Sequence, residues 1–214
     1  MRTAYFVGLD LGQRNDPTAL AVLEWREWEG ARDAVTFERR RETALSLRHV
    51  ERVPLGTPYP EVVSRVATVL RSRQLGEAER RHLIVDGTGV GPPVVDLLRA
   101  ERLPAQLWPV TITGGDTERY ADGYYRVPKR DLIVGLQVTL QRAGLQIADG
   151  MRDCAALVKE MADMKVRVTG SGNERYGADR SGEHDDLVSA VSLACWGAKR
   201  AAPVVRRPQC PMMF

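Results

Sequence analysis

The apolar residues of the chain fall into short runs whose spacing changes along the sequence. Residues 4–11 form a continuous apolar run typical of a buried strand, and residues 18–28 predict a second strand. Residues 35–43 alternate weakly and predict a third, more exposed strand after a hairpin turn at Glu29-Gly30. Three successive strands joined by short links predict an antiparallel meander.

Beyond residue 58 the apolar positions alternate between helical and strand spacing. The predicted elements are a helix from Pro60 to Gly76, a strand over 81–86, a helix opened by Gly91-Pro92-Pro93 and a strand over 106–112. Strands that alternate with helices in this way predict parallel pairing. The chain should therefore form an α/β domain with a mixed sheet.

The last half of the chain is less regular. A polar, glycine-rich stretch over residues 113–125 predicts a mobile loop. The elements predicted after it are a helix from Val127-Pro128 to Gly144, a strand over 145–147, a helix over 151–164, a strand over 165–169, a flexible hairpin or loop over 170–182 and a final helix over 184–199. Without an internal repeat or clear linker, we predict one domain over residues 1–200 and a flexible tail over 201–214.

Composition narrows the class of protein only slightly. The 214 residues are 43% hydrophobic and 28% charged, as in ordinary soluble domains, and the formal net charge of +3 is mild. Asp10 interrupts the N-terminal apolar run, and no run approaches the roughly 20 residues that span a bilayer. Three cysteines without CxxC spacing support neither disulfides nor a zinc site. These features predict a cytoplasmic protein with no membrane partner.

Carboxylates in or beside apolar runs carry the first chemical signal. Asp10 lies within the first predicted strand and Asp86 closes the fourth, while Asp185 and Asp186 open the final helix. Charged groups avoid cores unless they are paired or bind metal, and two adjacent carboxylates repel unless a cation offsets them. Helix capping accounts for one of the last two. We predict one acidic cluster that binds divalent cations, with the direct ligand among Asp185 and Asp186 left open.

Two further residues are candidates for a supporting role at this site. Asp16 either adds a carboxylate beside the ligands or forms a turn before Pro17. His184 either positions a water or phosphate or caps the final helix. Sequence alone does not choose between these roles.

Cationic residues near the predicted loops are candidates for DNA binding. Lys129 and Arg130 begin a helix, where cations and backbone amides together suit a phosphate; the alternative is an exposed helix start. Arg175 and Arg180 lie in the predicted hairpin or loop and would form a second DNA-facing element. No base-reading motif is visible, so weak sequence dependence is expected.

The order of the acidic motifs along the chain resembles that of a known family. The motifs are Gly8-Leu9-Asp10-Leu11-Gly12-Gln13 with Asp16-Pro17-Thr18-Ala19, then Val85-Asp86-Gly87-Thr88-Gly89-Val90-Gly91, then Val127-Pro128-Lys129-Arg130-Asp131-Leu132, and Gly182-Glu183-His184-Asp185-Asp186-Leu187-Val188. Together they resemble the nuclease domain of the terminase large subunit of tailed bacteriophages. The resemblance covers most of residues 4–198.

This resemblance implies an RNase H-like fold, with a central mixed sheet of antiparallel strands 1–3 and parallel later strands flanked by helices. It implies an endonuclease that cuts concatemeric double-stranded viral DNA during genome packaging. Asp10, Asp86, Asp185 and Asp186 would then hold two Mg²⁺ or Mn²⁺ ions roughly 3.5–4 Å apart. A packaging ATPase domain and a portal would be partners, in the cytoplasm of a bacterial host. The chain lacks a Gly-x-x-x-x-Gly-Lys-Ser/Thr loop, so ATP-driven translocation is not assigned to it.

Three other functions are compatible with parts of the pattern. A RuvC-type Holliday-junction resolvase or another RNase H-like nuclease shares the fold and the metal chemistry. A catalytically silent DNA-binding module would keep the basic residues without metal-dependent cleavage. A sugar-kinase-type ATPase also opens with a Gly-x-Asp-x-Gly strand, but 214 residues are too few for its two lobes.

Overall fold

The structure, a computed structural model, describes residues 1–201 apart from 13–15, 36, 90–91, 149, 169–173 and 178–184. Of the tail predicted over 201–214, only Ala201 falls within the described residues, and it is the last residue of the final helix. The described residues form one eight-stranded sheet, a separate two-stranded ribbon and six helices. None of these helices has the length and apolar character needed to cross a bilayer.

The strands of the large sheet are β1 (Arg2–Asp10), β2 (Ala19–Arg32), β3 (Arg39–Arg52), β4 (Arg80–Asp86), β5 (Gln106–Thr113), β6 (Arg119–Ala121), β7 (Tyr124–Pro128) and β8 (Leu145–Ile147). The ribbon consists of β9 (Lys165–Val168) and β10 (Glu174–Gly177). The helices are α1 (Tyr59–Leu70), α2 (Arg73–Gly76), α3 (Pro92–Ala100), α4 (Lys129–Gln141), α5 (Cys154–Asp163) and α6 (Asp186–Ala201).

The large sheet is mixed, as the sequence predicted. Its strands lie in the order β6-β7-β5-β4-β1-β2-β3-β8. β1, β2 and β3 pair antiparallel, whereas β4, β5, β7 and β8 each run parallel to an inner neighbour. The predicted α/β, RNase H-like architecture is confirmed, with antiparallel strands 1–3 and with later strands that pair parallel except for β6.

The hairpin between β2 and β3 turns later than the sequence predicted. Glu29-Gly30 lies inside β2, which ends at Arg32, and β3 begins at Arg39. Gly30 serves a close cross-strand contact, because a Cβ there would overlap the Glu42 carboxylate. Arg39 on β3 pairs with Glu29 at 3.7 Å. Charged cross-strand pairs of this kind extend the hairpin beyond its apolar part. The prediction relied on apolar alternation, which is missing there.

The stretch predicted as a loop over residues 113–125 contains a second hairpin. β6 and β7 pair antiparallel across Asp122-Gly123, whose φ angles of 55° and 81° suit a tight turn. The rings of Tyr120 and Tyr125 pack across the pair with centroids 4.7 Å apart. The helix predicted from Val127 begins at Lys129, because Val127 and Pro128 end β7.

Helices cover both faces of the sheet. α1 and α3 pack on one face, while α6, together with α4 and α5, packs on the other. α6 approaches β1 closely because Gly8 has no side chain; a Cβ there would overlap the Ala190 carbonyl oxygen and lie 2.9 Å from the Ala194 nitrogen. A second glycine, Gly197, faces Ile84 on β4. Two glycine contacts thus seat α6 across β1 and β4.

Candidate metal centre

Asp10 and Asp86 are the last residues of two neighbouring parallel strands. They are partners in the register of β1 and β4, so their backbones are separated by about 4.8 Å, the spacing of adjacent strands. Residues two apart on a strand share a face. The side chains of Asp10 and Asp86 therefore project to the side on which α6 lies, because Gly8 and Ile84, two residues before them, both face α6. The carboxyl ends of parallel strands are where α/β sheets form sites.

The N-terminus of α6 brings the second pair of carboxylates to this edge. Asp185 precedes the helix, and its carbonyl oxygen accepts the Ser189 N–H at 2.8 Å. Asp186 is the first helical residue and is only 6% exposed. Because α6 lies against Gly8, two residues before Asp10, its first turn reaches the end of β1.

The four carboxylates, called the acidic cluster below, are near enough for the charges of the other three to act on Asp10. The pKa of Asp10 is raised well above its usual value, first by burial and then by the charges of Asp86, Asp186 and Asp185, whereas Lys129 lowers it. The pKa of Asp86 is also raised by burial, although its carboxylate accepts the Thr88 N–H at 2.8 Å. Like charges held together in a partly buried place are stabilised by a bound cation.

Lys129 lies inside the acidic cluster. Its ammonium Nζ is 2.7 Å from Oδ2 of Asp185, and its charge also acts on Asp10 and Asp86. α4 begins at Lys129, directly after β7, and this places the side chain at the same edge of the sheet. A cation among the carboxylates offsets part of their repulsion.

The donor set is suited to a hard divalent cation, since carboxylate oxygens are the ligands that Mg²⁺ and Mn²⁺ prefer. In the part of the chain that the structure describes, no three Asp, Glu, His or Cys side chains already form a group able to hold one ion. Two of the oxygens face cations of the protein, Lys129 at Asp185 and Arg52 at Asp186, 3.6 Å away. An ion held by these carboxylates would compete with Lys129 and Arg52 for the two oxygens.

Sequence reasoning missed two residues next to this cluster, Arg52 and Glu160. Arg52 ends β3 and forms an ion pair with Glu160, which is 8% exposed. Burial raises the pKa of Glu160 to about 7, against the lowering effect of the Val188 N–H and the Arg52 charge. Glu160 follows the buried Leu157 by three positions, on the packed face of α5. A charge on the apolar face of a helix was the signal available in the sequence.

The supporting residues predicted from sequence have different outcomes. Asp16 is exposed, in the segment that returns the chain from β1 to β2. That segment is held by the Gly12 N–H, which donates to Oγ1 of Thr18 at 3.0 Å. His184 lies outside the described residues. The roles of Asp16 and His184 therefore stay predictions.

The other predicted DNA-binding residues lie outside the acidic cluster or outside the description. Arg130 is partly exposed and pairs with Asp116 at 3.4 Å and Asp131 at 3.5 Å. Arg175 belongs to β10, a strand that lies beside α4, and its side chain is not described. Arg180 lies outside the described residues.

No protein-family model and no curated protein matches the chain, but solved structures do. The large terminase nuclease of thermophilic phage G20c with bound magnesium matches with a TM-score of 0.61 and 20% identity, over 91% of this chain and 81% of that one. The nuclease domain of the bacteriophage SPP1 large terminase with bound Mn matches with a TM-score of 0.51 and 13% identity, over 92% of this chain and 86% of that one. The HK97 bacteriophage large terminase matches with a TM-score of 0.51 and 13% identity, over 92% of this chain and 40% of that one. The chain has the fold that these domains share.

Proposed function

We propose that this chain, which has the fold of large terminase nuclease domains, is a divalent-metal-dependent DNA endonuclease. The observation that carries the proposal is the meeting of Asp10, Asp86, Asp185 and Asp186 at one edge of the sheet, in a fold whose solved examples bind magnesium and Mn. Its substrate would be concatemeric double-stranded viral DNA, cut during genome packaging.

Asp10, Asp86 and the aspartates at the start of α6 would hold Mg²⁺ or Mn²⁺, two ions in the full site. When bound, the ions would lower the pKa of the attacking water and stabilise the charge of the leaving oxygen. We favour Asp186 over Asp185 as the direct ligand, because the ion pair of Asp185 with Lys129, at 2.7 Å, is closer than that of Asp186 with Arg52, at 3.6 Å.

Lys129 and Arg130 would hold the DNA backbone at the site. The Lys129 ammonium, 2.7 Å from Asp185, is the cation that a phosphate entering the acidic cluster would meet. Arg130 follows it at the first turn of α4, where the positive end of the helix dipole adds to the attraction. Arg175 and Arg180 are proposed as further contacts to phosphates. These contacts recognise the backbone, so cleavage would depend weakly on sequence.

The proposed partners follow from the same likeness. The HK97 large terminase is a longer chain, of which this chain covers 40%. We propose that the present chain works with a packaging ATPase and with a portal, in the cytoplasm of a bacterial host. Its own residues would contribute the cutting step.

Nicking of supercoiled plasmid with Mn²⁺, with Mg²⁺ and with chelator tests the proposal. Wild type should nick only with a divalent ion, and Asp10→Asn should lose nicking at least about 100-fold while keeping its circular dichroism spectrum, because the amide cannot supply the ligand charge. Asp96→Asn removes an exposed carboxylate of α3 and should nick like wild type. Full activity of Asp10→Asn would contradict the metal assignment. A strong preference for four-way junctions over linear duplex would instead favour a resolvase.

A further inference from the structure

Arg52 connects three elements at the edge of the acidic cluster. Its backbone N–H donates to Oδ2 of Asp153, just before α5, at 3.0 Å. Its guanidinium donates to Oε1 of Glu160 on α5, and its Nε lies 3.6 Å from Oδ2 of Asp186 on α6. The Arg52 side chain is 29% exposed and the Glu160 side chain 7%. The hydrogen bond to Glu160 holds the guanidinium within ion-pair distance of Asp186.

Glu160 holds the other side of the same helix start. Its Oε2 accepts the N–H of Val188 at 3.1 Å. The first backbone N–H groups of a helix have no partner within the helix, and here a buried carboxylate of α5 supplies one. Arg52 and Glu160 together therefore contact both the side chain of Asp186 and the backbone two residues after it.

We infer that Arg52 and Glu160 are a positioning pair that fixes Asp186 for cation binding, an inference that rests on the proposed function. A carboxylate has two oxygens, so Asp186 can face Arg52 with one and an ion with the other. Groups that contact a metal ligand without touching the metal orient that ligand, and their loss typically lowers metal affinity about 10- to 100-fold. Neither residue needs to touch the substrate.

The neighbouring residue on β3 supplies a matched control. Glu51 precedes Arg52, so its side chain points to the opposite face of the sheet, where Nε of Arg65 on α1 donates to it at 2.8 Å. This is also a buried carboxylate paired with a half-exposed arginine, with side-chain exposures of 4% and 52%. Removing this pair should destabilise the fold without reaching the acidic cluster.

The test is calorimetric titration of Mn²⁺ into the metal-free protein, which needs no catalysis. Arg52→Met should raise the Kd for Mn²⁺ about 10- to 100-fold. The double variant Arg52→Met/Glu160→Gln keeps the formal net charge of wild type and should also bind Mn²⁺ more weakly, because the loss is positional. The control, Arg65→Met/Glu51→Gln, should have a Kd for Mn²⁺ within about twofold of wild type, because these two residues do not contact a proposed metal ligand.

Two outcomes overturn the inference. One is an Mn²⁺ affinity of Arg52→Met or of the double variant equal to or tighter than that of wild type. The other is an equal loss of affinity in the control.

If Arg52→Met fails to fold, Arg52→Lys takes its place. A lysine cannot contact both carboxylates as a planar guanidinium does, so this variant should bind Mn²⁺ more weakly than wild type. Wild-type affinity in Arg52→Lys would refute the positioning pair. If wild type binds no Mn²⁺, the proposed function fails first. If wild type binds and the variants match it, only this inference fails.

Discussion

Glu51 shows how one buried carboxylate of this protein stays ionised. Burial alone would raise its pKa, but hydrogen bonds and charges from His49 and Arg65 outweigh burial and lower the pKa to about 2. A carboxyl whose pKa is lower in the folded than in the unfolded state stabilises the fold above the unfolded value of 4.5, and this stabilisation is lost as the pH falls toward 2.

Replacing Glu51 with Gln should therefore cost stability in a pH-dependent way. We expect a loss of about 3 kcal/mol in the free energy of unfolding at pH 7, from the size of the pKa difference. Urea unfolding of both proteins between pH 7 and pH 3 measures it, and the difference between them should shrink as the pH falls. A difference that stays constant with pH would show that packing, and not charge, gives Glu51 its effect.

At the level of single residues, the sequence predicted the aspartates that end β1 and β4 better than the residues that contact Asp185 and Asp186. Asp10 and Asp86 were visible because a carboxylate ending an apolar run is unusual, and the structure brings them together. Arg52 could not be found, because it ends a strand whose extent was mispredicted and a lone arginine has no pattern. Lys129 was expected at the DNA backbone, and its ion pair with Asp185 depends on contacts between residues far apart in the chain.

Among the elements, α6 depends on the glycine of β1 that it packs against. Gly8→Ala should lower the free energy of unfolding by about 3 kcal/mol or more, because the new methyl group meets backbone atoms that no side-chain rotation can move. To avoid this overlap α6 must move away from β1. That movement carries Asp186 away from Asp10, so Mn²⁺ binding should weaken. Chemical denaturation and Mn²⁺ titration measure the two effects.

Gly135 in α4 is the matched control for this substitution. A Cβ at Gly135 meets nothing within 4 Å, so Gly135→Ala should leave Mn²⁺ binding unchanged. It should also stabilise the helix by roughly 0.5–1 kcal/mol, the usual gain of alanine over glycine in a helix interior. Equal stability of the two glycine variants would contradict the packing argument.

Element prediction succeeded where apolar spacing was regular and failed where charge or aromatic contacts formed the strand. β1, β4 and the final helix all follow strong apolar patterns, and all three are present. The predicted turn at Glu29-Gly30 is wrong, because Gly30 makes room for the Glu42 side chain within the strand and does not form a turn. β6 and β7 were missed because polar residues surround Tyr120 and Tyr125, whose tilted ring contact joins the two strands.

For the whole molecule, an ion bound at the proposed site would make stability depend on divalent ions. An ion that binds only the folded state stabilises it by about 2.7 kcal/mol at 100 times its Kd. For a domain of this size, the melting temperature should rise by about 5–10 °C. Thermal denaturation with Mn²⁺ and with chelator should show this rise in wild type and in Asp96→Asn. A rise of the same size in Asp10→Asn would place the bound ion elsewhere.

The position of the four aspartates along the chain has a consequence during synthesis. A ribosome delivers Asp10 and Asp86 before Asp185 and Asp186, which emerge only with α6, and α6 must then dock on Gly8. A nascent or truncated polypeptide that stops before residue 185 holds at most half of the cluster. If the proposed activity is right, the order of translation itself keeps unfinished copies of this protein from cutting DNA.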